Sequence, residues 1–366
     1  MPAALPFAPP PPPPYSLGRA LLFGFGAGVP VLAALLFGEP RAALFAGMGA
    51  VMALQVDPRR SIPIRIAAVV AALILIVSSG TLGVMLKDDK VAMTVAVIAI
   101  SFLAGLPKPF FPYLTLVGKV CAAIVIVTSA GIAATGEAAV VFIAGGLFAL
   151  LLAVLKSMWH HRDATGLTPY AEVQALMAGE RNPLFYAFTM AATVLLAMLL
   201  ADTLHAKLPG WVGLTVLFVM HPDDATALKL MAQRLGGTLA GIALAGLVVH
   251  LVHEQWILAG LAIVMAALLP KATAMNYFWM SGAFTALVML LLDLALLRSG
   301  GDAPLLVWRL YDTMLGCAVA GAVLLAVYGT RRWRERRQGP GRKAAEADGD
   351  PPDVPEPGAD SEGVQG

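Results

Sequence analysis

Only 13% of this chain is charged, so an ionisable side chain inside an apolar segment needs a reason to be there. Residues 220–241, MHPDDATALKLMAQRLGGTLAG, set His221, Asp223, Asp224, Lys229 and Arg234 against a Gly-Gly-Thr run where an apolar stretch begins. Carboxylates at Asp223 and Asp224 suit a helix start, where they complement the backbone dipole; buried, one of them would be a proton carrier. Arg234 has a counterpart in Arg65 of LQVDPRRSIPIRIAAVVAAL, each ahead of an apolar helix. A guanidinium is the preferred fork for a carboxylate, and two at related mouths would draw an organic anion. Lys119, in LTLVGKVCAAIV, lies about 9 residues into its segment, roughly 13 Å at 1.5 Å per residue. Two readings stand: a strained snorkel to the surface, or a pathway or ion-pair role. Asp293, in VMLLLDLALL, is read as a solvated helix end or a second proton site. Arg309 and Asp312, in WRLYDTMLG, are three apart and can pair locally or line a path. Gly236, Gly237, Thr238 and Gly241 are small, and Gly237 to Gly241 has the GxxxG spacing of close helix packing.

Other chemistries lack their residues. There is no HExxH, no CxxC, no phosphate loop and no Ser-centred nucleophile elbow. Cys121 and Cys317 both lie inside apolar runs and read as small core residues. The expectation is a protein that is not an enzyme and that uses no metal, cofactor or nucleic acid.

The elements that must position these residues follow from composition. Hydrophobic residues make up 59% of the 366 and the mean hydropathy is +0.79, whereas a soluble chain carries about 25% charge. A bilayer crossing takes about 20 mostly apolar residues. Apolar runs between polar breaks predict helices over 17–37, 41–56, 64–86, 91–106, 110–134 and 138–156, then 184–204, 208–221, 233–252, 255–270, 274–297 and 304–329. The second and eighth of these are short for a crossing. The fold class expected is an all-α integral membrane protein of about 12 transmembrane helices in two parallel six-helix repeats.

Five regions result. Residues 1–16 form a Pro-rich arm suited to polyproline II, without the charged start and cleavage site of a signal peptide. Residues 17–156 are the first membrane repeat and 184–330 the second. Between them, 157–183 contain TPYAEVQALMAG, which predicts a short helix on the cytoplasmic surface. Thr168 would cap it, Pro169 would open it, and Tyr170, Val173 and Met177 would share one face. Residues 331–366 start with the basic RRWRERR, suited to anionic headgroups, and continue as an acidic disordered tail. With both termini cytoplasmic, 18 of the 25 Lys and Arg lie inside, six lie outside and Lys119 falls within a segment.

The repeat rests on three ordered matches. GLPKPFFPY at 105–113 resembles LLPKATAMNY at 268–277, LLAVLKSMW at 151–159 resembles LLAVYGTRRW at 324–333, and 54–73 echoes the stretch around Arg234. An even number of helices per half sends both halves into the membrane in the same direction.

Trp211, Thr215, Pro222, Arg234, Gly237, Thr238 and Gly241 together resemble the W-x3-T, Pro, R-x2-GT-x2-G pattern of the fusaric acid resistance and aromatic acid exporter superfamily. Tyr277, Arg309, Asp312, Thr313 and Gly316 are similar to its later segments. The resemblance covers about 184–330. It implies a bacterial inner-membrane exporter of aromatic or other amphipathic organic acids and toxic compounds, coupled to the proton gradient. Partners implied are membrane lipids and a periplasmic adaptor of the membrane-fusion type, with a homo-oligomer as a further candidate. Larger exporters of this kind carry a long cytoplasmic region between halves, which 157–183 does not match, and the first half has RIAAVVA where Arg-x2-Gly-Thr would stand. A passive organic-anion channel and a non-transporting envelope-assembly protein are the competing readings.

Overall fold

With so few polar residues to offer water, the backbone must satisfy its own hydrogen bonds, and in a bilayer that leaves helices. The computed structural model describes residues 16–107, 112–129, 136–159, 168–177, 184–206, 209–221, 224–252, 254–296 and 311–326, with no strand among them. The helices are α1 (Leu17–Leu36), α2 (Pro40–Val56), α3 (Ile62–Met85), α4 (Lys90–Gly105), α5 (Pro112–Ser129), α6 (Gly136–Trp159), α7 (Pro169–Met177), α8 (Leu184–Thr203), α9 (Pro209–Val219), α10 (Asp224–Leu251), α11 (Gln255–Met275), α12 (Tyr277–Leu296) and α13 (Tyr311–Ala326). Local chemistry sets several ends. Gly38, at φ 78°, turns the chain sharply between α1 and α2. The Asp89 carboxylate accepts from the N–H groups of Val91 and Ala92 and starts α4.

Seven of the helices are long and apolar enough to cross a membrane. Their outer faces carry large apolar side chains, among them Phe25, Ile74, Leu151, Phe185 and Phe188, all exposed in the monomer. A soluble surface rarely tolerates so much contiguous apolar area, whereas lipid requires it. The chain is therefore a multi-pass, all-helical membrane protein. Two short helices, α2 and α9, behave differently. α2 is buried nearly end to end, from Ala43 through Val56. In α9, Trp211, Val212, Leu214, Val216, Leu217 and Val219 are all buried. At 1.5 Å per residue, 11 residues reach only about 16 Å, far short of a core about 30 Å thick.

Contacts recur between the halves. α1 packs on α2 as α8 packs on α9, α3 on α5 as α10 on α12, and α4 on α5 as α11 on α12. Across the halves, α1 meets α11 while α8 meets α4, and α2 meets α12 while α9 meets α5. Close backbone approach closes several of these seams. A Cβ at Gly49 would collide with the Phe142 carbonyl and one at Gly145 with the Ala46 carbonyl, where α2 crosses α6. At the α10–α12 seam, a Cβ on Gly237 would collide with the Phe278 carbonyl, and one on Gly241 would sit 2.5 Å from the Gly282 carbonyl. Thr238, also buried there, faces Ser281 at 3.5 Å between hydroxyl oxygens.

The chain departs most from the expected boundaries in two places. The segment expected over 255–270 continues through Pro270 to Met275, because Leu269 and Pro270 are both buried and packing holds the helical course despite the lost hydrogen bond. α10 begins at Asp224 rather than near residue 233, so the polar stretch ahead of Arg234 is already helix. α7 forms where expected, with Thr168 Oγ1 accepting from the Ala171 N–H at 3.2 Å. On it Tyr170 and Val173 are exposed, and Glu172 is buried. Residues 1–15 of the arm and the 331–366 tail lie outside the described residues. Residues 323–366 form a separate unit, of which 323–326 are the last turn of α13.

Candidate functional site

α9 touches both α5 and α10, and it carries the ring on which two cations converge. The Lys119 ammonium of α5 lies 5.7 Å from the Phe218 ring centroid, and the Arg234 guanidinium carbon of α10 lies 5.5 Å from the same centroid. Both side chains are buried, at 5% and 6% exposure. Removing such an ion from water costs several kcal/mol, and a desolvated cation–π contact recovers only about 2 kcal/mol. Evolved sequences keep such groups where a charged ligand or a charged partner shares the cost.

Further polar atoms meet Arg234. Its charge acts on the Tyr277 hydroxyl, at the opening of α12, and on Cys317 in α13. Among the described residues, Arg234 Nε and the Tyr277 hydroxyl, both buried, find no hydrogen-bond partner at ordinary length. In the first half the corresponding tyrosine is satisfied: the Tyr113 hydroxyl donates to the Ala68 carbonyl of α3 at 2.6 Å. The two halves thus differ where the sequence does. The first closes this joint with a hydrogen bond, and the second leaves a guanidinium and a phenol facing one another with donors to spare.

Arg65 is placed otherwise. Its Nε donates to Asp57 Oδ1 at 2.8 Å and its Nη1 to the Ala153 carbonyl at 2.7 Å, with both partners of the ion pair under 10% exposed. Losing one partner of such a buried pair costs about 3–5 kcal/mol, so Arg65 ties the α2–α3 turn to α6. Among the candidate acids, Asp312 is buried in α13 and Asp293 is half-buried in α12. Asp224 opens α10, while Asp223 and Arg309 lie outside the described residues. Gly236 faces the Phe278 ring, so it shares the α10–α12 seam with Gly237, Thr238 and Gly241.

Glu172 is a residue that sequence reasoning passes over. Its carboxylate, on α7, accepts from the Leu114 N–H at 3.1 Å and the Tyr113 N–H at 3.4 Å, capping the start of α5 from another element. Burial pushes its pKa up to about 7, with the two backbone hydrogen bonds opposing the rise. α5 is also the helix of Lys119, six residues further on, so the linker is fastened to a helix of the site.

Comparison with known proteins places part of the chain. Residues 195–323 match the family described as fusaric acid resistance protein-like, a stretch that includes Phe218, Arg234, Tyr277, Asp312 and Cys317. An uncharacterized protein of Haemophilus influenzae is 28% identical over 163 residues, 44% of this chain and 22% of that protein. The chain thus matches less than a quarter of that relative's length. No solved structure matches.

Proposed function

We propose that this protein is a bacterial inner-membrane carrier that exports amphipathic organic acids from the cytoplasm, with both termini on the cytoplasmic side and the proton gradient as its drive. The observation that carries this reading is the burial of Lys119 and Arg234 on one Phe218 ring. A carboxylate would take the two cations, and an aromatic or apolar body would lie along Phe218 and the apolar walls. The short and largely buried α2 and α9 support it: short apolar segments at corresponding places in two halves are where secondary transporters build their substrate sites. The recurring helix contacts support reading 17–156 and 184–330 as two repeats, and six crossings in each, the arrangement proposed, would make them parallel. The match over 195–323 supports organic acids as cargo. Arg65 serves the architecture in this scheme, and buried Asp312 is the leading proton carrier ahead of Asp293, Asp223 and Asp224.

The test is uptake of a panel of aromatic and aliphatic carboxylates into inside-out vesicles under an imposed proton gradient. Lys119→Met and Arg234→Gln should each cost about tenfold or more in rate at low substrate, the size expected for a charge-assisted contact. Arg234→Lys should keep part of it, retaining charge without the fork. Wild-type rates in both neutral variants, at wild-type protein levels, would sink the site. Flux that ignores the proton gradient and registers as current would make the protein a channel.

A further inference from the structure

One end of the first half gathers more positive charge than the described residues neutralise. Arg19 stands in the first turn of α1, Arg59 and Arg60 in the α2–α3 turn, Arg65 in the first turn of α3 and Lys156 in the last turn of α6. Arg19, Arg59, Arg65 and Lys156 lie close enough to repel one another, and Asp57 is the carboxylate that attracts them. That one carboxylate is already engaged, taking Arg65 Nε and the Arg59 backbone N–H at 2.9 Å. Arg59 holds φ at 53°, a left-handed conformation that disfavours a residue with a Cβ, and the Asp57 hydrogen bond keeps it there. Arg60 Nη2 is buried and donates to nothing among the described residues. Lys156 rests its ammonium over Gly18, where an added Cβ would lie 3.3 Å away, so bare α1 backbone brings that charge beside Arg19. A topology signal alone needs basic residues on one side. It does not need them partly buried, mutually repelling and fixed by a strained turn.

We propose that this cluster is a binding site for a phosphoryl anion, with Arg19, Arg59, Arg60 and Lys156 as its donors and the Asp57–Arg65 pair as its floor. Guanidinium groups fork phosphate oxygens in pairs, and a basic pocket between helix ends suits the headgroup of an anionic phospholipid. The site uses none of the Lys119–Arg234–Phe218 group and does not depend on transport.

Delipidated full-chain protein in neutral detergent, unfolded thermally, separates the sources of that phosphoryl group. Short-chain phosphatidylglycerol, short-chain phosphatidylcholine and inorganic phosphate are the three probes. A rise of several degrees with phosphatidylglycerol and none with phosphatidylcholine supports a lipid headgroup, and a comparable rise with phosphate supports a soluble anion. Arg60→Gln and Lys156→Gln should each lose most of the rise, and Lys156→Gln, by relieving repulsion, should unfold no earlier than wild type without ligand. Lys229→Gln, an exposed charge elsewhere, should respond as wild type does. Native mass spectrometry of retained phosphatidylglycerol gives a second readout if a variant unfolds early. Equal responses to the two lipids, an unaltered rise in both cluster variants, or an equal loss in Lys229→Gln overturns the site.

Discussion

At the residue scale, two of the side chains singled out by burial cost, Lys119 and Arg234, share a ring, and Phe218 is what joins them. Charge in an apolar run is visible in one dimension, because its desolvation cost does not depend on the fold. A phenylalanine among apolar neighbours carries no such mark, and its meaning comes only from the two helices packed against α9. Glu172 was hidden for a related reason: it lies opposite the apolar stripe of a surface helix, where a carboxylate is ordinarily solvated. Its burial predicts a pH dependence. With its docked pKa raised from 4.5 to about 7, docked α7 holds a proton that the undocked helix releases, so docking is strongest below about pH 4.5 and weakens as pH rises through about 7. The groups facing that carboxylate from α5 are the Tyr113 and Leu114 N–H donors and the Tyr113 phenol. Limited proteolysis across residues 160–183 should therefore quicken from pH 5 to pH 8, and Glu172→Gln, uncharged throughout, should flatten the profile relative to wild type. An equally steep profile in Glu172→Gln would mean that another group drives the change.

At the element scale, helix positions were legible within a few residues, since apolar runs and polar breaks are the physics of crossing a bilayer. Pro270 and the early start of α10 were not, because packing overrides local preference at both. The glycines offer a controlled test of packing against propensity. At Gly237 an added methyl meets the Phe278 backbone and Ser281, while at Gly260, in the interior of α11, nothing lies within 4 Å. Gly237→Ala should destabilise by about 1–3 kcal/mol through overpacking at the α10–α12 seam. Gly260→Ala should be neutral or stabilise by up to about 1 kcal/mol through helix propensity. Thermal unfolding in detergent checks both. A Gly237→Ala protein as stable as wild type would show that the seam can open by the width of a methyl, and that the small residues of the Arg-x2-Gly-Thr stretch serve something other than closeness.

At the scale of the whole molecule, matched contacts alone do not select an axis. α1 on α11 mirrored by α8 on α4 is what a two-fold through the centre gives, whether that axis runs along the membrane normal or within its plane. Crossing number and charge separate the two. The six crossings proposed for each half would return the chain to the side it left, and the basic residues concentrate at the ends that a parallel arrangement would place in the cytoplasm. The three sequence echoes were short, and what they could not carry was the exchange of partners between halves, a property of tertiary structure only. Parallel repeats make a definite prediction about two exposed turns. Asp88, between α3 and α4, and Glu254, between α10 and α11, occupy corresponding places and should both face the periplasm, while Gln174 on α7 should face the cytoplasm. With Cys121 and Cys317 replaced by Ala, single cysteines at these positions can be probed in intact cells by a maleimide that does not cross the inner membrane. Asp88→Cys and Glu254→Cys should label at once and Gln174→Cys only after permeabilisation. Labelling of Asp88→Cys and Glu254→Cys from opposite sides would make the repeats inverted, move the axis into the membrane plane, and place the basic end of the first half opposite the corresponding end of the second.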